Sequence, residues 1–323
     1  MPHRLMVCRR ILAALACLLP VCALAAWPER PVKIVVGFPP GGTADAVGRL
    51  IASALGPRLG QNVVVENRIG ANGNLATEYV ARAAPDGHTV FSTSIGHVVN
   101  PLMMKEARYD PIAGFTPIGQ VLSAPNVLVV PASSPFQTVR ELVAYARANP
   151  GKLNVASSGT GTSVHLSAAL FMQMTGIDLV HVPYKGTGSA MPDLLAGTVS
   201  LMFPNLPTAL PMAQAGRLRA LGVTTRARSA AAPQIPSIAE AGVAGYDMST
   251  WYGIVGPPRM PAEIVARLNQ ELRAVLADPA VRDKMVAQGA DVVTGSPEDF
   301  ARFITEESRK WAQLVRQAKL AAE

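Results

Sequence analysis

The chain has 323 residues, of which 49% are hydrophobic and only 16% charged, with 27 glycines and 27 prolines. That length accommodates two domains of ordinary size, and the apolar content excludes a disordered or coiled-coil chain; so much glycine and proline suits strand-to-helix turns better than a helix bundle. The net charge of +7 would fit a nucleic-acid partner, but its distribution along the sequence argues otherwise.

His3, Arg4, Arg9 and Arg10 precede an uncharged run from Ile11 to Ala26, with Ala23-Leu24-Ala25 as a small-x-small cleavage site. This pattern predicts a secretory signal peptide over residues 1–25. The run contains Pro20 and falls short of the roughly 20 residues a spanning helix needs. Cys17 and Cys22 lack the leucine and small-residue box of a lipoprotein. With Cys8 they are the only cysteines, and all three leave with the signal, so the mature chain has no disulfide, thiolate nucleophile or cysteine metal site. Loss of three arginines lowers +7 to +4, spread without a basic block, which excludes nucleic acid as a partner.

Downstream, β-branched runs alternate with amphipathic stretches. Val32 to Val36 reads as a buried strand, followed by the turn Pro39-Pro40-Gly41-Gly42. Val47, Leu50, Ile51, Ala54 and Leu55 then mark one face of a helix. Asn62 to Glu66 and Thr89 to Ser92 are further strands, an order that implies parallel crossovers and a helix-covered sheet. The pattern restarts with a strand at Leu128 to Val130, a helix capped by Thr138, a strand at Leu153 to Ala156 and a helix from Ser163 to Gly176. Three strands follow: Leu179 to Val182, Val199 to Phe203 and Arg219 to Thr224. The tail holds three helices, opening at Pro261, at Asp278-Pro279 and at Ser296, the last with acids at its start and basic residues through Lys319 at its end.

Three helices without strands cannot form a domain, so they are expected to pack back on the first unit. The economical topology is a discontinuous first lobe, 26–121 and 251–323, around a second lobe, 122–250. The chain would leave the first near Val121 to Val130 and return near Trp251 to Pro257, giving two doubly wound sheets, two crossover segments and a cleft.

Several strands empty into small-residue loops just before a helix. These are Phe38 to Asp45 with Gly41, Gly42 and Thr43; Ser157-Ser158-Gly159-Thr160-Gly161-Thr162, leading to His165; and Tyr184-Lys185-Gly186-Thr187-Gly188-Ser189. Ser92-Thr93-Ser94 follows another strand. Helix N-termini leave amide donors unpaired and carry partial positive charge, so such loops facing one cleft form an anion site without a dedicated cation. Any parallel α/β fold needs sharp turns; it is the repetition of such loops that points to function.

Enzyme signals fail. Val164 stands where a dinucleotide fingerprint needs its third glycine, no GKS or GKT follows Gly41, and no G-x-S-x-G elbow surrounds Ser157 or Ser158. His88, His97, His165 and His181 lack metal spacing. No cofactor and no metal are expected. Asp45 reads chiefly as a first-turn dipole partner, His181 as a core histidine, and His165 as either ligand-facing or loop-bracing.

The stretch from Trp27-Pro28 through Val36-Gly37-Phe38-Pro39-Pro40-Gly41-Gly42 resembles the mature start of the Bug (Bordetella uptake gene) receptors, extracytoplasmic solute-binding proteins of tripartite tricarboxylate transporters. Glu66-Asn67-Arg68-Ile69-Gly70, Ala84-Pro85-Asp86-Gly87, Ser157-Ser158-Gly159, Val182-Pro183-Tyr184-Lys185-Gly186 and Trp251-Tyr252-Gly253 continue the likeness along the mature chain. The resemblance implies a type II-like Venus-flytrap receptor, periplasmic, monomeric and non-enzymatic. It would capture a small carboxylate for membrane subunits of the transporter, or alternatively present it to a sensor kinase ectodomain; a periplasmic hydrolase is a further rival. By position it implies Phe38, Gly41, Gly42, Thr43 and Asp45 on one side of the ligand, and the strand-end loop adds Ser94 to the expected ligand residues. Ser157, Ser158, Gly159, Thr160, Thr162, His165, Tyr184 and Lys185 would stand on the other. Ala169, Ser200 and Pro204 replace acids common in the family, a departure that favours a plain or aromatic carboxylate over one bearing an ammonium group.

Overall fold

The computed structural model describes residues 27–287 and 289–317; the expected signal peptide with its cysteines, and Lys319, lie outside them. The first sheet is built from strands β1 (Val32–Val36), β2 (Val63–Asn67), β3 (Thr89–Ser94), β4 (Thr116–Pro125), β10 (Ser249–Gly256) and β11 (Asp291–Val292). Its order is β11-β4-β10-β3-β1-β2. The second sheet has the order β7-β6-β8-β5-β9, from β5 (Val127–Pro131), β6 (Asn154–Ser157), β7 (Val180–Pro183), β8 (Leu201–Met202) and β9 (Leu218–Val223).

Each sheet has a parallel trio at one end, β2-β1-β3 or β7-β6-β8, as the strand-helix alternation predicts. The sheets are mixed, however. β10 runs antiparallel between β3 and β4, and β5 runs antiparallel between β8 and β9. Ile34, Val35 and Val36 are fully buried, each side chain contributing roughly 1.5–3 kcal/mol by leaving water.

Helices α1 (Thr43–Leu59), α2 (Asn74–Ala81) and α3 (Gly96–Met103) belong to the first lobe. α4 (Val139–Ala148), α5 (Ser163–Thr175), α6 (Thr187–Ala196) and α7 (Leu206–Gln214) belong to the second. Thr138 caps α4 as expected, its side chain accepting from Glu141 N. The tail helices α8 (Ala262–Ala277), α9 (Pro279–Ala287) and α10 (Pro297–Gln317) return to the first lobe, and α8 and α10 both pack on β4. Buried Glu307 on α10 accepts from the indoles of Trp251 and Trp311, tying that helix to β10.

The outward crossing lies at Asn126, between β4 and β5. The return lies upstream of its expected place. Met248 N still bonds to Thr224 O beside the second sheet, and Ser249 already pairs with Pro125 of β4. Trp251 to Gly256 is therefore interior strand and not a linker. Asn126 and Thr224 stitch the two crossings together: Asn126 N donates to Thr224 Oγ1 at 2.8 Å, and Thr224 N donates back to Asn126 O.

Candidate functional site

A cavity of about 330 Å3 lies between the lobes. Helices start at its wall: α1 after Gly42, α3 after Ile95, α5 after Thr162, α6 after Gly186 and α7 after Asn205, each of these preceding residues lining the space. Of these five, only α5 has a side-chain cap, Thr162 accepting from His165 N; the other four leave first-turn amides without one. The helix dipoles add partial positive charge at one place. Among the described residues, Lys185 is the only charged residue of the lining, no acid joins it, and it is exposed.

The lobes touch around this space. Thr43 Oγ1 and Thr208 Oγ1 stand 2.7 Å apart, and Tyr252 Oη donates to Asn205 Oδ1 at 2.9 Å. Beside them the second-lobe loop presses on the first: a Cβ on Gly161 (φ +82°) would lie 2.9 Å from Asn100 Oδ1. Only glycine combines that backbone with that approach.

The structure divides the expected ligand residues into two groups. Phe38, Gly42, Thr43, Ser94, Ser158, Thr162 and Lys185 line the cavity. Gly41, Asp45, Ser157, Gly159, Thr160, His165 and Tyr184 are not part of its wall. Asp45 is buried and accepts from Gly41 N (3.2 Å), Arg49 Nε (2.9 Å) and Asn67 Nδ2 (2.9 Å). Burial pushes its carboxyl up, and these three bonds outweigh burial, holding it below the usual carboxylate range. The Gly41 amide is thus taken by Asp45 and turned from any guest. His165 braces the opposite loop, its Nδ1 accepting from Gly161 N at 3.2 Å. Burial, then the neighbouring His181, lowers its pKa to about 4, so it is neutral at pH 7. Tyr184 Oη donates to Asp193 Oδ2 at 2.6 Å.

His181 departs from the expected core role: it is half-buried, its ring lies tilted against His165 with centroids 4.5 Å apart, and it stands 2.6 Å from Ser157 Oγ. That serine-histidine contact is not a catalytic pair for this cavity, because Ser157 is fully buried outside its wall and also accepts from Gly159 N. Ala169, Ser200 and Pro204 also stand outside the wall. Ser200 bonds to Asn154 instead. No group of three His, Cys, Asp or Glu side chains suited to a metal occurs among the described residues.

Asn205, Thr250 and Tyr252 line the cavity without having been singled out for it. The signal for Asn205 is present but faint: a short strand, then Pro204-Asn205, then a helix start. It is the same pattern as the glycine loops, with asparagine in the turn.

Residues 47–320 match the family described as "Tripartite tricarboxylate transporter family receptor". The chain belongs to that family. It is similar to the protein BugT of Bordetella pertussis (strain Tohama I), 34% identical over 95% of this chain and 97% of that one. Rpa4515 of R. palustris, solved with adipate, superposes with a TM-score of 0.89 at 39% identity, over 92% of this chain and 100% of that one. MatC of Rhodopseudomonas palustris, solved with bound malate, gives a TM-score of 0.86 at 32% identity, over 90% and 100%. The family receptor is a solute-binding protein of the two-lobed periplasmic type.

Proposed function

We propose that the chain captures a small carboxylate in the interlobe cavity and that its closed form delivers this solute to the membrane subunits of a tripartite transporter. The observation that carries the reading is the convergence of helix N-termini on a wall free of acids. Bonds from amides to a charged group contribute roughly 1.5–3 kcal/mol each, so a few of them with closure reach micromolar affinity, about −8 kcal/mol. Adipate and malate in the two neighbours support the ligand class. The ligand contacts would come from Gly42, Thr43, Ser94, Ser158 and Lys185, with Asp45, Thr162 and His165 holding their loops. Phe38 would pack on the solute's carbon skeleton. Export through the N-terminal signal would place the receptor in the periplasm.

Calorimetry with mono- and dicarboxylates, and with sugars and amines as controls, tests this. Heat and a thermal shift are expected for carboxylates alone. Silence across the carboxylates, or equal response to the controls, would overturn it.

A further inference from the structure

Asn126 stands where the chain first crosses between the lobes; it is fully buried and lies outside the cavity wall. Its backbone is tied to the return crossing through Thr224. Its side chain ties the same point to the cavity. The Asn126 amide nitrogen donates to Phe203 O at 2.8 Å and to Ser167 Oγ of α5 at 3.1 Å. Phe203 O can only accept, so the Asn126 oxygen is the atom that faces Asn205. Asn205 must then present its nitrogen, 2.7 Å from Asn126 Oδ1 and 3.2 Å from Ser163 Oγ, and turn its oxygen toward Tyr252. Tyr252 Oη donates to that oxygen at 2.9 Å. Burial pushes the phenol's pKa up, so its proton stays in place at neutral pH.

These bonds run without a break from a crossing segment, through a buried asparagine of the second lobe, to a strand of the first. A branch reaches α5, which meets Asn205 at Ser163 and Asn126 at Ser167, one turn apart. That helix begins directly after Thr162, in the loop that carries Ser158. Any rotation of the second lobe about the crossings therefore moves Asn205 and the start of α5 together, relative to Tyr252.

We propose that Asn205 is a positioning residue for closure: Asn126 orients it, and its bond to Tyr252 fixes the hinge angle at which the Ser158 loop faces the first lobe. This rests on the closure and carboxylate capture proposed above and is independent of which carboxylate is bound. In the open form the bond between Asn205 and Tyr252 is broken; in the closed form it holds the angle.

The probe is the tightest binder of the mono- and dicarboxylate panel above, adipate and malate included, followed by calorimetry and by stopped-flow tryptophan fluorescence. Tyr252→Phe removes the donor between the lobes. Asn126→Ala removes the orienting amide from a position outside the cavity wall. Each is expected to weaken binding about tenfold, through faster dissociation, with association changed by about twofold or less. Both act through the one Asn205 bond, so the double variant should also lose about tenfold, against about a hundredfold for independent sites. A merely structural defect would lower the fraction of competent protein and leave the dissociation rate of the remainder unchanged. Should Asn126→Ala fail to fold, Ser167→Ala, also outside the wall, takes its place, with a loss of about threefold that disappears in the Tyr252→Phe background. Unchanged dissociation in the single variants, or losses that multiply in the double, overturn this proposal alone. Silence of the unaltered protein across the whole panel overturns the carboxylate reading and this proposal with it.

Discussion

The two lobes hold their cavity loops by different chemistry. In the first, a carboxylate ion-paired to Arg49 accepts the Gly41 amide; in the second, a neutral imidazole accepts the Gly161 amide. Both braces sit four residues after the glycine, in the first turn of the following helix, and both are buried. A loop that must keep some amides free for a guest needs a fixed acceptor for the others, and either charge state serves. The consequence differs with acidity, because only the second brace changes charge in the mildly acidic range.

The largest effect separating the two braces is therefore expected from pH. The folded-state pKa of His165 is about 4, below the unfolded value of 6.5, so its contribution is present above pH 6.5 and is lost as pH falls toward 4. Buried His97, also lowered to about 4 chiefly by burial, adds the same dependence from the first lobe. Each contributes on the order of 3 kcal/mol. Asp45, held below its ordinary value, loses its contribution only at lower pH. Denaturant unfolding across pH 4–7 should show the steep fall, and His165→Asn should flatten about half of it.

Next comes the first brace itself. Asp45→Ala leaves the Gly41 amide and Asn67 without their acceptor, and a loss of about 2 kcal/mol is expected by denaturant unfolding at pH 7, moderated by the exposure of Arg49. A loss unchanged between pH 7 and 4.5 would mark the brace as insensitive to mild acid; a loss that vanishes by pH 4.5 would break the contrast. A smaller effect is expected from Gly161→Ala, which forces a side chain against Asn100 and should weaken ligand binding about tenfold by opposing closure. Small-angle scattering with saturating ligand should then retain the wider envelope. The smallest belongs to Lys185→Ala, about threefold in affinity and vanishing at high salt, because that cation is exposed.

Much of this arrangement was legible beforehand, for physical reasons. Glycine, serine and threonine crowd where a strand must turn into a helix, so the loops at Gly42, Ser158 and Gly186 announced themselves. Which members of a loop face inward was not legible. Gly41 and Gly42 are identical in the sequence, and a carboxylate reaching back from Asp45 decides between them. The run Trp251 to Val255 has the composition of a linker or of a strand, and only its register with β3 and β4 makes it a strand. That register in turn brings Thr250 and Tyr252 to the cavity, which is why neither was expected there.

The two lobes meet along a narrow polar seam beside the cavity. Among the described residues, the side-chain hydrogen bonds that bridge the lobes are the threonine contact, Thr43 with Thr208, and the Tyr252–Asn205 bond. At about 1 kcal/mol apiece, these two bonds are the polar part of a seam that also has apolar packing, one buried cluster running from Phe91 and Val99 in the first lobe to Phe203 and Leu206 in the second. On the function proposed above, a solute touching both halves would add to that seam, and a membrane partner sensing the shut shape would be reading occupancy.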